Sequence, residues 1–385
     1  MPIPKEEFET RIKRIQKILQ EREIDGVFLW GDEFYTGYVR YVSDYAPLLE
    51  YAAVLIPADS EPILMAGPEC EDLARNTSKI KNVQIISDLA IPGEEYPHSK
   101  MVTIEKIVKE VYSDKKPKKI GIVDMNGIPF FLYRALQKAF GKDVELVDFT
   151  EPLDEMRAIK SENEIAAIRK AYEIASKGLE IGIEAVKPGK RECDIAAEIT
   201  EFMWSEGPEQ ISHLFMIASG ERLAGMMVLS RPTNKIIRDG ELVVIDVGVV
   251  VDGYYSDHAR TIIAGSQKPE KLVRLIEIAK KAQKETIKAM RPGVKGYEVD
   301  RVARSIVERE GFGKNLIAGP VHGVGLAHCE KPMCGPTSQV VLQKGMTFAV
   351  DLGLWNLPYG GVRIESGVLI TEDGAEVLTK IKEEE

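Results

Sequence analysis

Apolar residues recur at two different spacings along the first 150 residues. They fall at helical spacing over residues 8–22 and 101–112, and short apolar runs occur at residues 26–30, 53–57, 63–65 and 119–123. Alternation of helices with short buried strands predicts an α/β domain. This segment contains no glycine-rich phosphate loop, and no group of reactive side chains in it suggests chemistry.

The pattern becomes long and helical near residue 150, so we predict two domains, 1–150 and 151–385. Ser161 and Glu164 form the sequence signature of a capping box at the start of a long amphipathic helix. Further helices are predicted over 192–204, 270–290 and 298–310.

A repeated sequence pattern indicates a duplicated fold in the second domain. Pro188-Gly189 and Pro292-Gly293 each precede a helix, and each helix pair is followed by strands. Two copies of a helix, helix, strand unit predict a pseudo-two-fold axis, with any shared site on the sheet where the halves meet. The predicted fold class is therefore α+β.

The first candidate functional residues, two aspartates, lie on a predicted β-hairpin. Residues 243–251 form a valine-rich strand, Asp252-Gly253 is a strong turn signal, and residues 254–263 return. With these turn residues, Asp246 lies opposite Ala259. Because side chains alternate along a strand, Asp257 shares the face of Ala259, and the two aspartates become diagonal neighbours.

Two like charges that close inside an apolar sheet are costly to bury unless a cation lies between them. A metal site is therefore the first hypothesis for the hairpin. The alternative is that both acids lie on a solvated face.

Three more polar residues interrupt apolar strands or turns in the second half: His322, Asp351 and Glu365. Four carboxylates and one imidazole are a poor set for a single structural zinc, which favours cysteine and histidine. They suit two divalent ions about 3.5–4 Å apart that carboxylates bridge. Manganese, cobalt, iron and zinc are all possible, and the oxygen-rich set leans toward manganese or iron.

Composition narrows the class of protein. The chain has 51 basic and 61 acidic residues, a net charge of −10, which argues against nucleic acid or an anionic membrane as a partner. No apolar run approaches the ~18 residues of a membrane span, and the start of the chain is no signal peptide, so we expect a cytoplasmic protein. The four cysteines have no CxxC spacing and are expected to be reduced.

Several segments, taken in order, resemble the methionine aminopeptidase, prolidase and creatinase superfamily with the pita-bread fold. They are DEMRAIKSENEIAAIRKA, IDVGVVVDGYYSDHART, GPVHGVGLAHCEKP, GMTFAVDLG and GGVRIESGVLITEDGAEVLT. The resemblance implies an N-terminal creatinase/prolidase-type accessory domain, a C-terminal pita-bread catalytic domain and a homodimer.

The resemblance also implies roles for individual residues. Asp246 would chelate one ion, His322 and Asp351 the other, and Asp257 and Glu365 would bridge both. Arg363 and Thr261 would lie behind these ligands and support them, and Arg363 is also a candidate on the substrate side together with Leu229, His328 and Cys329. The candidate catalytic residues are Asp351, Glu365 and Glu330, since a ligand-position carboxylate shuttles the proton in this family and Glu330 matches its acid in the HGVGLAHCE motif.

The chain departs from the family pattern at three positions on the substrate or metal side. Asp351 stands where the family has glutamate. Cys329 stands where proline-specific peptidases have a second histidine, with His328 just before it. Leu229 stands where the family has a substrate-contacting histidine, and His213 is the nearest histidine upstream.

The leading hypothesis is a dinuclear metallohydrolase of the Xaa-Pro dipeptidase or aminopeptidase type, acting on a small peptide or peptide-like molecule. One alternative is a pita-bread enzyme for a non-peptide compound, such as an amidine or cyclic amide. The other is a non-catalytic peptide-binding module, which predicts no metal.

Overall fold

The computed structural model describes residues 3–97, 99–212, 215–227 and 229–382. The chain forms two compact units, one of residues 3–157 and one that begins at Ala158. The units divide near the end of the helix Thr150–Ala158, whereas the sequence pattern placed the boundary at the start of this helix. No helix in these ranges combines the length and apolar character needed to cross a membrane.

The first unit is a mixed sheet covered by helices. Its elements are α1 Lys5–Glu21, β1 Gly26–Gly31, α2 Gly37–Ser43, β2 Ala52–Pro57, β3 Ile63–Ala66, α3 Glu71–Thr77, β4 Val83–Ile85, α4 Ile104–Val111, β5 Lys119–Ile122, α5 Phe130–Phe140, β6 Glu145–Asp148 and α6 Thr150–Ala158. The strand order is β4-β3-β2-β1-β5-β6. Helices α4 and α5 pack on the sheet face that Phe28 and Trp30 present. The predicted helices and strands of this unit are present.

The second unit contains the remaining elements. They are α7 Glu162–Ala185, α8 Glu192–Ser205, β7 Gln210–Ile211, β8 Met216–Ser219, β9 Leu242–Val247, β10 Val249–Val251, β11 Tyr254–Tyr255, β12 His258–Ile263, α9 Glu270–Ala289, α10 Gly296–Arg309, β13 Val321–Gly323, β14 Glu330–Cys334, β15 Thr347–Leu354, β16 Val362–Ile370 and β17 Ala375–Val377. The large antiparallel sheet has the order β14-β13-β15-β16-β12-β9-β8, with β17 on β16. Helices α7 and α8 share one core with β9, and α9 and α10 share another with β15 and β16.

The predicted duplication is visible in matching contacts of the two halves. Gly189 N–H donates to Ile237 O and Gly293 N–H to Leu342 O, each at 2.9 Å. Both glycines have positive φ, 95° and 88°, which explains why glycine follows proline at both places. Each turn then leads into a helix, α8 or α10.

The predicted hairpin register is confirmed, but the two strands are not continuous. Asp246 pairs with Ala259, and Val251 pairs with Tyr254 across the turn. The ladder breaks at Gly248, where a Cβ would lie 2.1 Å from the carbonyl oxygen of Ser256. Glycine permits this close approach, so the hairpin bends and its tip joins a second small sheet with β7.

Candidate metal centre

One row of paired residues crosses four adjacent strands of the large sheet. Asp246 on β9 pairs with Ala259 on β12, Ala259 with Glu365 on β16, and Glu365 with Asp351 on β15. Residues directly opposite each other share a face of the sheet. Asp246, Glu365 and Asp351 therefore project to the same side.

Strand alternation brings the other candidates to that side. Asp257 lies two residues before Ala259. His322 on β13 pairs with Ala349, which lies two residues before Asp351. All five predicted ligands thus lie on one face, although they come from segments far apart in the chain.

Three of the five side chains converge closely. His322 Nε2 lies 3.4 Å from Glu365 Oε1 and 3.9 Å from Asp257 Oδ2. One ligand atom from each of these residues lies within 4.8 Å of the other two. This triad of two buried carboxylates and an imidazole could hold one divalent cation.

Arg363 lies between the other two acids. Its guanidinium forms an ion pair with Asp246 Oδ2, and its Nε lies 3.2 Å from Asp351 Oδ1. The backbone N–H of Arg363 donates to Thr261 Oγ1 at 2.8 Å, and the Trp355 ring covers the guanidinium, 5.6 Å from its carbon. These contacts fix the guanidinium between Asp246 and Asp351.

Asp351 is incompletely satisfied. Although its Oδ1 is close to Arg363 Nε, the two atoms are not aligned for a hydrogen bond, and both are buried without a hydrogen-bond partner. A buried carboxylate oxygen without a partner is unfavourable. Coordination of a divalent cation would satisfy it, so the donor set fits the predicted metal.

The pKa values of three of the acids are raised, because the site holds too little positive charge to balance its buried carboxylates. Burial raises the pKa of Asp246 to about 8 and of Asp351 to about 6. Burial and the charges of Glu365 and Asp246 raise the pKa of Asp257 well above its usual range. These three acids resist ionisation where they lie, and a bound cation would reverse that preference.

Glu365 and His322 behave as a charged pair. Burial would raise the pKa of Glu365, but the hydrogen bond from His322 and the charge of Arg363 outweigh it, so the shift is downward. Burial opposes protonation of His322, yet its hydrogen bonds with Cys329 and Glu365 raise its pKa well above the usual value. Metal binding at His322 therefore requires loss of a proton.

The two neighbours predicted on the substrate side have different partners. Cys329 is exposed and hydrogen-bonds with the His322 side chain. The ring of His328 lies 6.3 Å from that of Tyr255. Of these two neighbours, Cys329 contacts the triad of Asp257, His322 and Glu365 through His322. His328 contacts Tyr255 instead, as expected if adjacent residues point to opposite sides.

The third departure, Leu229, is 60% exposed, and the nearby Met226 is 64% exposed. This segment is apolar and solvent-facing, where the resemblance leads one to expect an imidazole. His213, the nearest histidine in the sequence, lies outside the described residues.

Glu330, a candidate catalytic acid, has a buried partner. Lys160 Nζ donates to Glu330 Oε1 at 2.9 Å, with side-chain exposures of 1% and 7%. Sequence reasoning did not single out Lys160, because it lies just before the α7 capping box and 170 residues from Glu330. The residues around it, 154–164, are rich in charge, so the sequence gives no signal that this lysine is buried.

Two further aromatic or imidazole residues are part of the core. His258, the neighbour of Asp257 in the chain, is fully buried, and its Nδ1 lies 3.2 Å from Thr379 Oγ1. Trp355 is 3% exposed and packs where a Cβ on Gly353 or Gly361 would collide with its ring. It supports Arg363 and does not form an open pocket wall.

Two family models match the chain. The model for metallopeptidase family M24 matches residues 166–372, and that for the creatinase/prolidase N-terminal domain matches residues 11–159. These matches confirm the predicted two-domain fold class.

Curated relatives and solved structures match over nearly the whole length. A Xaa-Pro dipeptidase of Pyrococcus horikoshii is 33% identical over 376 residues, 97% of this chain and 98% of the relative. One from Pyrococcus furiosus is 32% identical over 97% of this chain and 99% of the relative. The crystal structure of a prolidase from Pyrococcus horikoshii OT3 superposes with a TM-score of 0.84 at 30% identity, covering 97% of this chain and 99% of that chain.

Proposed function

Since this chain belongs to metallopeptidase family M24, we propose that it is a dipeptidase that hydrolyses the peptide bond before proline. The relatives named as Xaa-Pro dipeptidases support the choice of substrate. The observation that carries the proposal is the single face of the sheet on which Asp246, Asp257, His322, Asp351 and Glu365 all lie.

We propose these five residues as the metal ligands. Family M24 uses divalent metal; when bound, such ions act as Lewis acids toward the scissile carbonyl and activate water. Two ions are expected from the resemblance, and the oxygen-rich donor set favours manganese or iron, with cobalt or zinc also possible.

The protein's own side chains would orient the ligands and move the proton. Arg363 holds the carboxylates of Asp246 and Asp351 in place through its guanidinium. Asp351, a carboxylate at a proposed ligand position, would accept the proton and return it to the leaving amine. Glu365 would stay ionised because His322 and Arg363 lower its pKa.

We propose a positioning role for Glu330. Its carboxylate is engaged by Lys160, and it directly follows Cys329, which hydrogen-bonds with His322. The Lys160–Glu330 pair would therefore fix the segment that carries Cys329 beside the metal centre. It would not contact the substrate itself.

A non-peptide substrate is the second candidate function. The observation that favours it is the exposed, apolar Leu229 at the position of a substrate-contacting histidine, together with Cys329 in place of the second histidine. A site that lacks two imidazole donors would bind an Xaa-Pro peptide less specifically. A binding module without metal is disfavoured by the retention of four clustered acids.

The test is a hydrolysis screen of Xaa-Pro dipeptides and matched dipeptides without proline, after reconstitution with manganese or cobalt. We expect cleavage only of the proline series, and its loss in Asp246→Ala and Glu365→Ala but not in Asp373→Ala, whose side chain is exposed. Absence of cleavage by metal-loaded protein would favour the non-peptide substrate. Undiminished turnover in Asp246→Ala and Glu365→Ala would contradict the site.

Cytoplasmic location, a homodimer and the lack of nucleic-acid or membrane partners are further proposals. They rest on the net charge of −10, the reduced cysteines and the resemblance. Size-exclusion chromatography with light scattering would test the dimer.

A further inference from the structure

A cavity with both charged and apolar lining residues lies on the second unit, between helix α9 and the segment that follows β17. Its volume is about 640 Å³, a size typical of small-molecule sites. Five lysines line it, and no acidic residue does: Lys280, Lys281, Lys284, Lys288 and Lys380. The lining of this cavity is thus opposite in sign to the net charge of the chain, which is −10.

Two of these lysines have acidic partners outside the cavity. Lys288 pairs with Glu285 at 2.6 Å and Lys281 with Glu310 at 3.6 Å. Lys280, Lys284 and Lys380 form no ion pair with the residues that the structure describes. Glu285 and Glu376, which lie outside the lining, also interact electrostatically with Lys284 and Lys380, so it is the lining of the cavity itself that lacks carboxylates.

A cavity of the first unit provides a comparison. It measures about 580 Å³ and also contains lysines, but Glu9 and Glu61 line it as well, and Lys5 pairs with Glu9 at 2.9 Å. The lysines of that cavity are thus balanced by acids in its own lining. Those of the cavity beside α9 are not.

The dipole of helix α9 does not account for the clustering of the five lysines. Cations near the carboxyl end of α9 are favoured by the dipole, which is sufficient for Lys288. Lys380 comes from a separate segment, yet it lines the same cavity. Convergence of charges from two segments is the feature expected of an anion site.

The inner wall of the cavity is polar and buried. Gln283, Ser366 and Thr379 line it and are 7%, 3% and 6% exposed. Ser366 Oγ accepts hydrogen bonds from Gln283 Nε2 and from an Arg260 guanidinium N–H, both at 3.2 Å. Its own hydroxyl hydrogen remains a donor. Apolar atoms of Ile287, Val377 and Ile381 complete the lining.

We propose that this cavity binds a small organic molecule that carries two or more phosphate groups. Lysine ammonium groups bind phosphate oxygens as point charges, and hydroxyl donors add directed hydrogen bonds. The apolar atoms would contact the carbon skeleton. A single phosphate would engage fewer of the lysines and bind more weakly.

This site is separate from the metal centre. Ser366 is adjacent to Glu365 on β16, so the two side chains point to opposite faces of the sheet. Gln283 Nε2 also donates to the backbone oxygen of Val350, the neighbour of Asp351, at 3.1 Å. The proposed ligand would therefore lie behind the sheet and not in the place of a peptide substrate.

The experiment is calorimetric titration of the full-length protein with fructose 1,6-bisphosphate, with fructose and inorganic phosphate as comparison ligands. We expect saturable binding of one bisphosphate per chain, weaker binding of phosphate and none of fructose. Affinity should fall with added salt, since the lysines are exposed. The absence of saturable bisphosphate binding would overturn the proposal.

Two triple variants distinguish specific binding in the cavity from non-specific attraction to surface lysines. The triple variant Lys280→Gln, Lys284→Gln, Lys380→Gln should weaken binding by roughly tenfold or more. The matched variant Lys100→Gln, Lys142→Gln, Lys314→Gln removes the same charge from exposed positions elsewhere and should bind as the wild type does. Equal loss in both would show a non-specific charge effect and contradict the proposal.

A third variant tests the cavity itself. Val377→Trp fills the space without changing any charge, and it should also abolish binding. Retained binding in this variant, with a normal melting curve, would place the anion outside the cavity and overturn the assignment. Because dipeptide hydrolysis is not part of these readouts, their outcome is independent of the proposed enzymatic function.

Discussion

Arg363 Nε lies 3.2 Å from Oδ1 of Asp351, the residue that stands where the family pattern has glutamate. The same guanidinium pairs with Asp246 on the other side of Glu365. The shorter side chain of Asp351 thus lies within reach of a fixed cation that already partners another proposed ligand.

Replacement of Arg363 by methionine should destabilise the metal-free protein. Without the guanidinium, Asp246 loses a partner and the buried Asp351 carboxylate loses the cation that offsets its burial, at a cost of about 3–5 kcal/mol. For a unit of this size we expect the melting temperature to fall on the order of 10 °C. Calorimetry of Arg363→Met and of the charge-conserving Arg363→Lys measures it, and equal melting temperatures for Arg363→Met and wild type would contradict the role.

Asp351→Glu should bind metal more tightly. The family has glutamate at this position, and the additional methylene would lengthen the reach of the ligating carboxylate and relieve its dependence on the Arg363 guanidinium. We expect roughly a tenfold gain in manganese affinity by titration calorimetry. Asp373→Glu, on the surface, is the control; unchanged or weaker binding by Asp351→Glu would show that Asp351 already coordinates well.

The metal-free protein should lose stability as pH rises from about 4 to 8. The ordinary pKa of aspartate is 3.8, and burial raises that of Asp246 to about 8 and of Asp351 to about 6. Between the two values the unfolded chain has lost protons that the folded chain retains, so stability falls with increasing pH. The raised pKa values of Asp257 and His322 act in the same direction.

Divalent metal should reverse this trend, because it binds the deprotonated ligands. The rise in melting temperature on adding manganese is expected to be larger at pH 8 than at pH 5. Differential scanning calorimetry at the two pH values measures it. A gain that is equal at both, or larger at pH 5, would contradict ligation by these acids.

Lys160→Met should destabilise the second unit by about 3–5 kcal/mol, because it leaves the buried Glu330 carboxylate without its cation. The double variant Lys160→Met, Glu330→Gln removes both charges and should recover part of that loss. Chemical denaturation of the two variants measures the difference. If the double variant is no more stable than the single one, the pair does not act as a unit.

Several features could be predicted because short stretches of sequence encode them. The turn Asp252-Gly253 fixes the pairing of Asp246 with Ala259, since strand register follows from the turn residues. The capping box of Ser161 and Glu164 forms as predicted and begins α7. The repeated proline-glycine turns gave the duplication, because both glycines adopt positive φ.

The bend at Gly248 was not predicted, because it depends on how closely the Ser256 carbonyl approaches across the hairpin. The valine-rich pattern of residues 243–251 is the same for a straight strand and for one that joins two sheets. The alternation of apolar and polar side chains indicates which face of a strand is buried. It does not indicate whether the strand bends, as this one does at Gly248.

The sequence by itself determined which side chains could bind metal and on which strands they lie, since periodicity and turn chemistry act over a few residues. Only the tertiary structure decided their partners. Arg363 and Asp246 are 117 residues apart, and Lys160 and Glu330 are 170 apart. The lysines of α9 likewise meet Lys380 only after β15, β16 and β17 have formed the sheet beneath them. Contacts between distant segments depend on strand order and packing, which local patterns do not specify.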